Sequence, residues 1–269
     1  MTYASLNGDL ITTDQLAIDP SDRGFLLGDG VFETMRLSRG RIRRLEAHLA
    51  RLAEGATLLQ IPLPPVDRLR ASLEALIEAN GLQSGSLRLT LTRGPGPRGL
   101  LPAAKTSPTL LITQASPAPP SGPCHLHLSR YRRDGSSPLS RIKHLNYLPQ
   151  ILSRLEADQA GYDDALLLAA DGVRIAEASA ASLVVLSQGR LVTPPLHDGA
   201  LAGTARAELL RLGLCKERSL TLDDLKAAEA AWLVNSLSLR EITGILDDAI
   251  AQDAALTKHL HDCLFEPVP

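Results

Sequence analysis

The strongest constraint on the fold is a proline-rich break near the middle of the chain. Residues 115–123 read Ala-Ser-Pro-Ala-Pro-Pro-Ser-Gly-Pro. Because proline lacks a backbone N–H and has a fixed φ angle, this density excludes a regular helix or an interior strand and favours an extended linker. The segment therefore predicts two domains, over residues 1–115 and 124–269, joined by a linker at residues 116–123.

Composition is typical of an ordinary soluble globular protein. Hydrophobic residues make up 44% of the chain, aromatic residues only 3%, and the formal net charge is −2. These values do not favour nucleic acid as a partner. No apolar run approaches the roughly 20 residues that cross a bilayer, and the N-terminus lacks a signal-peptide pattern. Three cysteines without metal-type or disulfide-type spacing indicate a reducing compartment, so we expect a cytoplasmic protein with no metal and no membrane partner.

The periodicity of apolar residues predicts an α+β first domain. A short strand near Ala4–Leu6 leads into the hairpin-type pair Asn7-Gly8. Two later segments repeat apolar residues at helical spacing, and two others have the pattern of strands. The predicted helices are Arg44–Leu59 and Asp67–Asn80, and the predicted strands are Ser86–Thr92 and Thr109–Thr113.

The second domain alternates strands with connecting helices, which is typical of an α/β fold. A turn at Asp171-Gly172 closes one of its apolar strands, and Gln188-Gly189 joins two others into a hairpin. The predicted helices are Leu148–Ala160 and Thr204–Leu212, and the predicted strands are His125–Ser129, Ala165–Ala169, Ser182–Leu186, Arg190–Thr193 and Ala230–Asn235.

Lys143 is the first candidate for chemistry. The chain has only five lysines, and this one lies among apolar residues just ahead of a helical segment. Desolvating a lysine is costly unless its amine is neutral or covalently engaged. A neutral amine attacks carbonyl groups and forms a Schiff base. The alternative is a lysine whose aliphatic part packs while its ammonium group reaches water.

Two features of the second domain are suited to holding a cofactor. The loop Asp198–Gly203 leads directly into the helix that begins at Thr204, so backbone N–H groups and a hydroxyl are available to a phosphate. An ordinary helix cap is the alternative. Glu177 precedes a run of small residues and is suited to accept a hydrogen bond from a protonated ring nitrogen. The alternative is a surface carboxylate at a strand end.

Arginines and glycines of the first domain complete the set of candidates. Arg51 on the first long helix suits a phosphate or, alternatively, a solvated helix face. The segment Arg23–Thr34 has three glycines within seven residues, which indicates tight backbone near a site. The loop 92–99 presents Arg93 and Arg98 to ligand carboxylates, or else is a basic turn. An amine, a partner for a ring nitrogen and a phosphate site are what a pyridoxal phosphate enzyme requires.

The order of these motifs and their local sequences resemble the class IV, or fold-type IV, family of pyridoxal 5'-phosphate enzymes. This family contains branched-chain aminotransferases, D-amino acid aminotransferases and 4-amino-4-deoxychorismate lyases. The resemblance extends from residue 22 to residue 237. The motifs that carry it are Arg23–Thr34, His48–Leu52, Ile142–Asn146, Glu177 and Leu201–Arg206.

The resemblance implies a fold and a set of roles. The implied fold is that of the D-amino acid aminotransferases, with a small α+β domain followed by a larger pseudo-barrel α/β domain. Lys143 forms the Schiff base with pyridoxal 5'-phosphate, Glu177 pairs with the pyridine nitrogen, and Leu201 lies against the ring. A small-molecule amino substrate and a homodimer are also implied. The implied phosphate ligands are Arg51, Gly203, Thr204, Ala205, Ser236 and Leu237.

Within the family, three local features are more similar to aminodeoxychorismate lyases than to transaminases. They are the segment Lys143–Asn146, the segment Asn235–Leu237, and Thr34. In a lyase, Thr34 is expected to be catalytic by donating to the departing group, and Arg93 or Arg98 to bind a substrate carboxylate. The resemblance thus implies elimination of pyruvate to give 4-aminobenzoate, a folate precursor. The alternative is an aminotransferase acting on D-amino acids or branched-chain amino acids.

Two positions depart from the family pattern. Ser182 stands where members usually have asparagine, and Arg240–Gly244 replaces a common Pro-Val pair. A cofactor-binding protein without activity is a further alternative, and the presence of both Lys143 and Glu177 argues against it.

Overall fold

The computed structural model describes residues 1–117 and 122–266, which form two compact units. The segment that carries Lys143 belongs to the first unit, a division that a single boundary at the prolines does not give. Of the predicted linker, residues 118–121 lie outside the described residues. The first unit contains residues 1–117 and Ile142–Asn146, and the second contains residues 122–141 and 147–266.

The first unit is built on a six-stranded antiparallel sheet. Its strands are β1 (Tyr3–Leu6), β2 (Asp9–Thr12), β3 (Gly30–Ser38), β4 (Arg41–Ile42), β5 (Ser84–Thr92) and β6 (Thr109–Ala115). They are ordered β2-β1-β6-β5-β3-β4, and β3 pairs with β5 over its whole length. The three strands predicted in this region are confirmed, and the Asn7-Gly8 turn joins β1 to β2.

Helices cover one face of this sheet. They are α2 (Leu45–Leu58) and α3 (Val66–Ala79), which confirm the predicted helices, whereas the short helix α1 (Arg23–Leu27) precedes β3 in the chain. Apolar positions at helical spacing on α2 and α3 pack against alternate residues of β3 and β5 in one buried cluster. Burial of each such leucine stabilises the fold by roughly 1.5–3 kcal/mol. The opposite face of β3 therefore carries the other alternate residues: Phe32, Thr34 and Arg36.

The segment Ile142–Asn146 lies alongside β3. The N–H of Phe32 donates to the carbonyl of Lys143 at 2.9 Å, and the N–H of Leu145 donates to the carbonyl of Gly30 at 3.0 Å. Ile142 joins the buried apolar cluster of the first unit. These contacts fix the backbone on both sides of Lys143 to the start of β3.

The second unit is built on a nine-stranded mixed sheet. Its strands are β7 (Cys124–Arg133), β8 (Asp164–Ala169), β9 (Ile175–Ala178), β10 (Ser182–Ser187), β11 (Arg190–Thr193), β12 (Cys215–Glu217), β13 (Ala230–Val234), β14 (Leu239–Ile245) and β15 (Asp248–Ala249). The order is β12-β11-β10-β13-β14-β7-β8-β9, with β15 paired to β14. Parallel pairs join β7 to β8, β7 to β14 and β11 to β12, as an α/β fold with crossover connections requires.

In the described part of the second unit, the α-helices that accompany this sheet are α4 (Leu148–Gln159), α5 (Thr204–Arg211), α6 (Leu222–Lys226) and α7 (Ala254–Phe265). The helices predicted at the positions of α4 and α5 are confirmed. The fully buried Trp232 on β13 packs in a cluster with residues of α5 and α7. Among the described residues, none of the helices combines the length and the apolar character needed to span a bilayer.

Candidate active site

The Lys143 amine lies on an aromatic face of the first unit. Its Nζ is 4.3 Å from the centre of the Phe32 ring, and the side chain is half-buried. The ring contact fixes the position of the amine, and partial exposure leaves it accessible to a carbonyl compound.

Arg88 and Thr34 lie on the same sheet face. The guanidinium carbon of Arg88 is 3.8 Å from the centre of the Phe32 ring, so the side chains of Arg88 and Lys143 contact the same aromatic ring. Thr34 is directly opposite Arg88 in the β3–β5 register, and opposed residues have Cβ atoms about 4.5–5.5 Å apart. Arg88 was not among the residues predicted from the sequence. The sequence feature that indicates it is the alternation of apolar and polar residues along β5, which places this charged side chain on the sheet face opposite buried Leu87 and Leu89.

Arg51 is buried in an ion pair rather than on a solvated helix face. Its Nε donates to Oε1 of Glu33 at 2.7 Å, and its Nη2 donates to Oε2 at 2.6 Å. Nδ1 of His48 lies 2.7 Å from the same Oε2. Glu33 and His48 are 1% and 0% exposed, so the three side chains form one buried polar cluster. The alternative of a solvated helix face is therefore wrong, and the phosphate role of Arg51 stays a prediction.

Electrostatics fix the protonation states in this cluster. Burial acts to raise the pKa of Glu33, but the hydrogen bonds from Arg51 and His48 outweigh it and hold that pKa below its usual value. Burial lowers the pKa of His48, and Glu33 only partly offsets the effect. Since Glu33 is ionised and only accepts, the neutral imidazole must donate its Nδ1–H to it.

The two loop arginines differ in their surroundings. Arg93 is buried, and its guanidinium donates to both carboxylate oxygens of Asp29, at 2.7 and 3.0 Å, and to the carbonyls of Leu59 and Gln60. Four of its five N–H donors are thus engaged, so the geometry favours a structural role over the predicted substrate contact. Arg98 is exposed and remains the candidate for that contact.

The glycines of the Arg23–Thr34 segment do pack tightly, as predicted. A Cβ on Gly30 would lie 2.6 Å from the carbonyl oxygen of Leu91, closer than any real side chain approaches. Gly28 ends α1 in the left-handed region, with φ of 66°. The backbone at these positions can therefore approach β5 and turn sharply into β3.

Glu177 is a buried residue of β9 rather than a surface carboxylate at a strand end. Its Oε2 accepts from the N–H of Leu201 at 2.9 Å, and its Oε1 lies 3.0 Å from Nε of Arg133. Arg133 also donates to the carbonyls of Gly199 and Ser140. Its positive charge stabilises the ionised form of Glu177, the form that accepts a hydrogen bond from a protonated ring nitrogen. Arg133 was not among the residues predicted from the sequence.

The start of α5 fits a phosphate group. The N-cap residue is Gly203, which has no side chain to cap the first turn, and Thr204 and Ala205 follow it at buried positions. The N–H groups and dipole of a helix N-terminus favour an anion. A Cβ on Gly203 would lie 2.8 Å from Oγ of Ser182, so the residue that departs from the family pattern lies directly against this turn.

Ser236 and Leu237 lie in the turn between β13 and β14. Asn235 organises this turn, because its side-chain oxygen accepts from the N–H groups of Leu237 and Ser238 at 2.8 and 2.9 Å. An asparagine that bonds to its own following backbone is typical of such turns. The second unit thus contains a buried carboxylate, which suits the ring nitrogen of pyridoxal phosphate. It also contains a helix with glycine at its N-cap, which suits the phosphate.

Comparison with known proteins agrees with this chemistry. Residues 30–246 match the sequence profile described as Amino-transferase class IV. A putative branched-chain-amino-acid aminotransferase of Methanocaldococcus jannaschii is 32% identical over 86% of this chain and 83% of its own length. D-alanine aminotransferase of Bacillus licheniformis is 30% identical over 96% and 94%. The structure of 4-amino-4-deoxychorismate lyase from Pseudomonas aeruginosa matches with a TM-score of 0.85 at 33% identity, over 98% of this chain and 100% of that one. The chain therefore belongs to the class IV aminotransferase family of pyridoxal phosphate-dependent enzymes and has its fold-type IV architecture.

Proposed function

We propose that this protein is a pyridoxal phosphate-dependent 4-amino-4-deoxychorismate lyase, which releases pyruvate and forms 4-aminobenzoate. The observation that carries the proposal is the sheet face that bears Thr34 and Phe32, with the Lys143 amine 4.3 Å from the Phe32 ring centre. An elimination needs a base for one proton and a donor for the departing oxygen. Transamination needs the base but no such donor.

The chain's own residues supply these two functions. Lys143 removes the proton from the carbon that bears the substrate amine. The carbon–oxygen bond to the neighbouring enolpyruvyl group then breaks, and the hydroxyl of Thr34 donates a proton to the departing group. The group leaves as pyruvate and the substrate ring becomes aromatic, so one proton is lost and one is gained without any oxidant or reductant.

The cofactor would supply an electron sink for the carbon that loses its proton. Glu177, which is buried beside Arg133, would bind the protonated ring nitrogen, and Leu201 would lie against the ring. The glycine-capped start of α5 supports a phosphate site there. The proposed phosphate ligands are Arg51, Gly203, Thr204, Ala205, Ser236 and Leu237.

Arg98 is the proposed ligand of a substrate carboxylate. Its exposure supports this role, whereas the donors of Arg93 are engaged with Asp29 and two carbonyls. Arg88 is a second candidate, because it lies on the face that carries Thr34 and Lys143. We further propose a cytoplasmic homodimer. A stripe of exposed apolar residues along α4 (Leu148, Ile151, Leu152 and Leu155) supports self-association.

The decisive assay supplies aminodeoxychorismate without any keto acid. Equimolar pyruvate and 4-aminobenzoate are the expected products, and failure to form them refutes the proposal. Cofactor attachment is tested separately by borohydride reduction and peptide mapping, which should place the mass of the cofactor on the peptide that contains Lys143.

An aminotransferase is the second candidate, favoured by the similarity to the Bacillus licheniformis enzyme over nearly the whole chain. In that case D-alanine or a branched-chain amino acid should transfer its amino group to a keto acid, at a rate above the release of pyruvate from aminodeoxychorismate.

A further inference from the structure

The loop formed by residues 94–101 carries Arg98 and has little packing of its own. Leu100 and Leu101 are 85% and 87% exposed. Gly94 and Gly99 have positive φ angles of 83° and 113°. A glycine-rich loop with exposed leucines needs contacts from outside the loop to hold one conformation.

Those contacts come from the segment that begins α1. The N–H of Arg23 donates to the carbonyl of Gly94 at 3.0 Å, and the N–H of Gly96 donates to the carbonyl of Ser21 at 3.2 Å. The far end of the loop is bound by the side chain of Arg23. The guanidinium of Arg23 donates from Nη1 to the carbonyl of Gly99 at 2.8 Å and from Nη2 to that of Leu100 at 2.9 Å.

Arg23 is itself held by a carboxylate. It is 3% exposed, and its Nε donates to Oδ2 of Asp29 at 2.9 Å. Asp29 also accepts from Arg93, so one carboxylate orients two buried arginines, which we call the Asp29 cluster (Asp29, Arg23 and Arg93). Burial acts to raise the pKa of Asp29, but the two arginines outweigh it and keep that pKa below its usual value.

The same turn is bonded to the segment of Lys143. The side-chain amide of Asn146 donates to the carbonyl of Gly28 at 3.0 Å, and the N–H of Leu145 donates to the carbonyl of Gly30. Asp29 lies between these two glycines. The turn therefore connects the backbone around the proposed catalytic amine with the loop that carries Arg98.

We propose that the Asp29 cluster is a positioning device for substrate selection. It holds the 94–101 loop in one conformation, so that Arg98 is already ordered when the substrate carboxylate arrives. The conformational entropy of the loop is then lost during folding and not on substrate binding, so binding is not weakened. This inference rests on the proposed role of Arg98.

The variant Arg23→Lys tests the inference with little change in charge. A lysine keeps a positive charge beside Asp29 but cannot donate in parallel to two carbonyls and the carboxylate. We expect KM for aminodeoxychorismate to rise about tenfold, kcat to change less than about twofold, and the amides of residues 94–101 to exchange with deuterium faster. Glu46→Gln, which breaks an exposed ion pair with Arg70 in the same unit, is the matched control and should change none of these.

A double-mutant cycle separates positioning from general loosening. If Arg23 acts through Arg98, then Arg23→Lys should raise KM much less in an Arg98→Leu background than in the parent protein. The inference is overturned if the two substitutions raise KM independently, so that their effects multiply in the double variant. It is also overturned if Arg23→Lys lowers kcat at constant KM. If Arg23→Lys does not fold, Asp29→Asn takes its place, and we expect the same rise in KM and the same dependence on Arg98. An Arg98→Leu protein with unchanged KM overturns the proposed substrate contact and this inference together. A raised KM for Arg98→Leu with an unchanged KM for Arg23→Lys overturns the inference alone.

Discussion

Replacing Glu33 with glutamine removes one charge from a deeply buried ion pair of the first unit. The carboxylate is 1% exposed. It accepts two hydrogen bonds from Arg51, at 2.7 and 2.6 Å, and its Oε2 lies 2.7 Å from Nδ1 of His48. Glutamine has nearly the same shape, but it is neutral and has a single acceptor oxygen. The variant therefore leaves the Arg51 guanidinium buried without a counter-charge.

The size of the effect follows from these contacts. Removing one partner of a buried ion pair costs about 3–5 kcal/mol. The amide oxygen of the substituted side chain would still accept one hydrogen bond, which is worth about 1 kcal/mol. The free energy of unfolding should therefore fall by about 2–4 kcal/mol. For a chain of this size each kcal/mol corresponds to roughly 2–4 °C, so the Tm should fall by roughly 4–16 °C.

Differential scanning calorimetry of the protein without added cofactor measures this change directly. Ligand-free conditions matter because a bound cofactor stabilises the folded state by mass action. Glu46→Gln makes the same chemical change in an exposed pair and should shift the Tm by no more than about 4 °C, since exposed pairs contribute about 0–1 kcal/mol. If Glu33→Gln melts as little below the parent as this control does, the buried pair does not stabilise the unit and the reasoning is refuted.

Three further predictions concern the same residues and the proposed reaction. Burial lowers the pKa of His48 in the folded state, so the unfolded state binds more protons than the folded state as the pH falls below about 6.5, and the free energy of unfolding should fall with the pH. In urea titrations, His48→Asn should make this free energy less dependent on pH between about pH 5 and 6.5. A variant whose stability falls as steeply as that of the parent would contradict the lowered pKa of His48. Lys143→Ala should lower turnover by several orders of magnitude, and unchanged pyruvate release would exclude Lys143 as the base. Thr34→Val should lower lyase turnover about a hundredfold or more while changing any amino-group transfer much less, and equal losses in both assays would contradict a role in protonating the departing group.

Local patterns in the sequence predicted most of the regular structure. The spacing of Leu49 and Leu52 indicated α2, and the alternation of Leu87, Leu89 and Leu91 indicated β5; both elements form as expected. Such predictions succeed because the period of a helix or strand is fixed by backbone geometry. The membership of Ile142–Asn146 in the first unit was not predictable in the same way, since it depends on backbone pairing with a strand more than a hundred residues earlier.

Two ion-pair partners at the candidate site were not predicted from the sequence for the same reason, because each contact joins residues that are far apart in the chain. Arg133 holds Glu177, and Asp29 holds Arg93, but each pair is distant in sequence. Nothing in the local composition around either residue distinguishes such a pair from two solvated charges.

The buried cluster of Glu33, Arg51 and His48 is different, because the sequence pattern around Glu33 and Arg51 indicates that both side chains are buried. Glu33 alternates with Val31 and Met35 on β3, so the strand period places its carboxylate on the face that buries those two residues. Arg51 lies next to Leu52 on the buried side of α2, where a solvated arginine has no place. A charge on the buried face of a strand requires a partner of opposite charge on the element that covers it. Once α2 is known to cover β3, that requirement pairs Glu33 with Arg51.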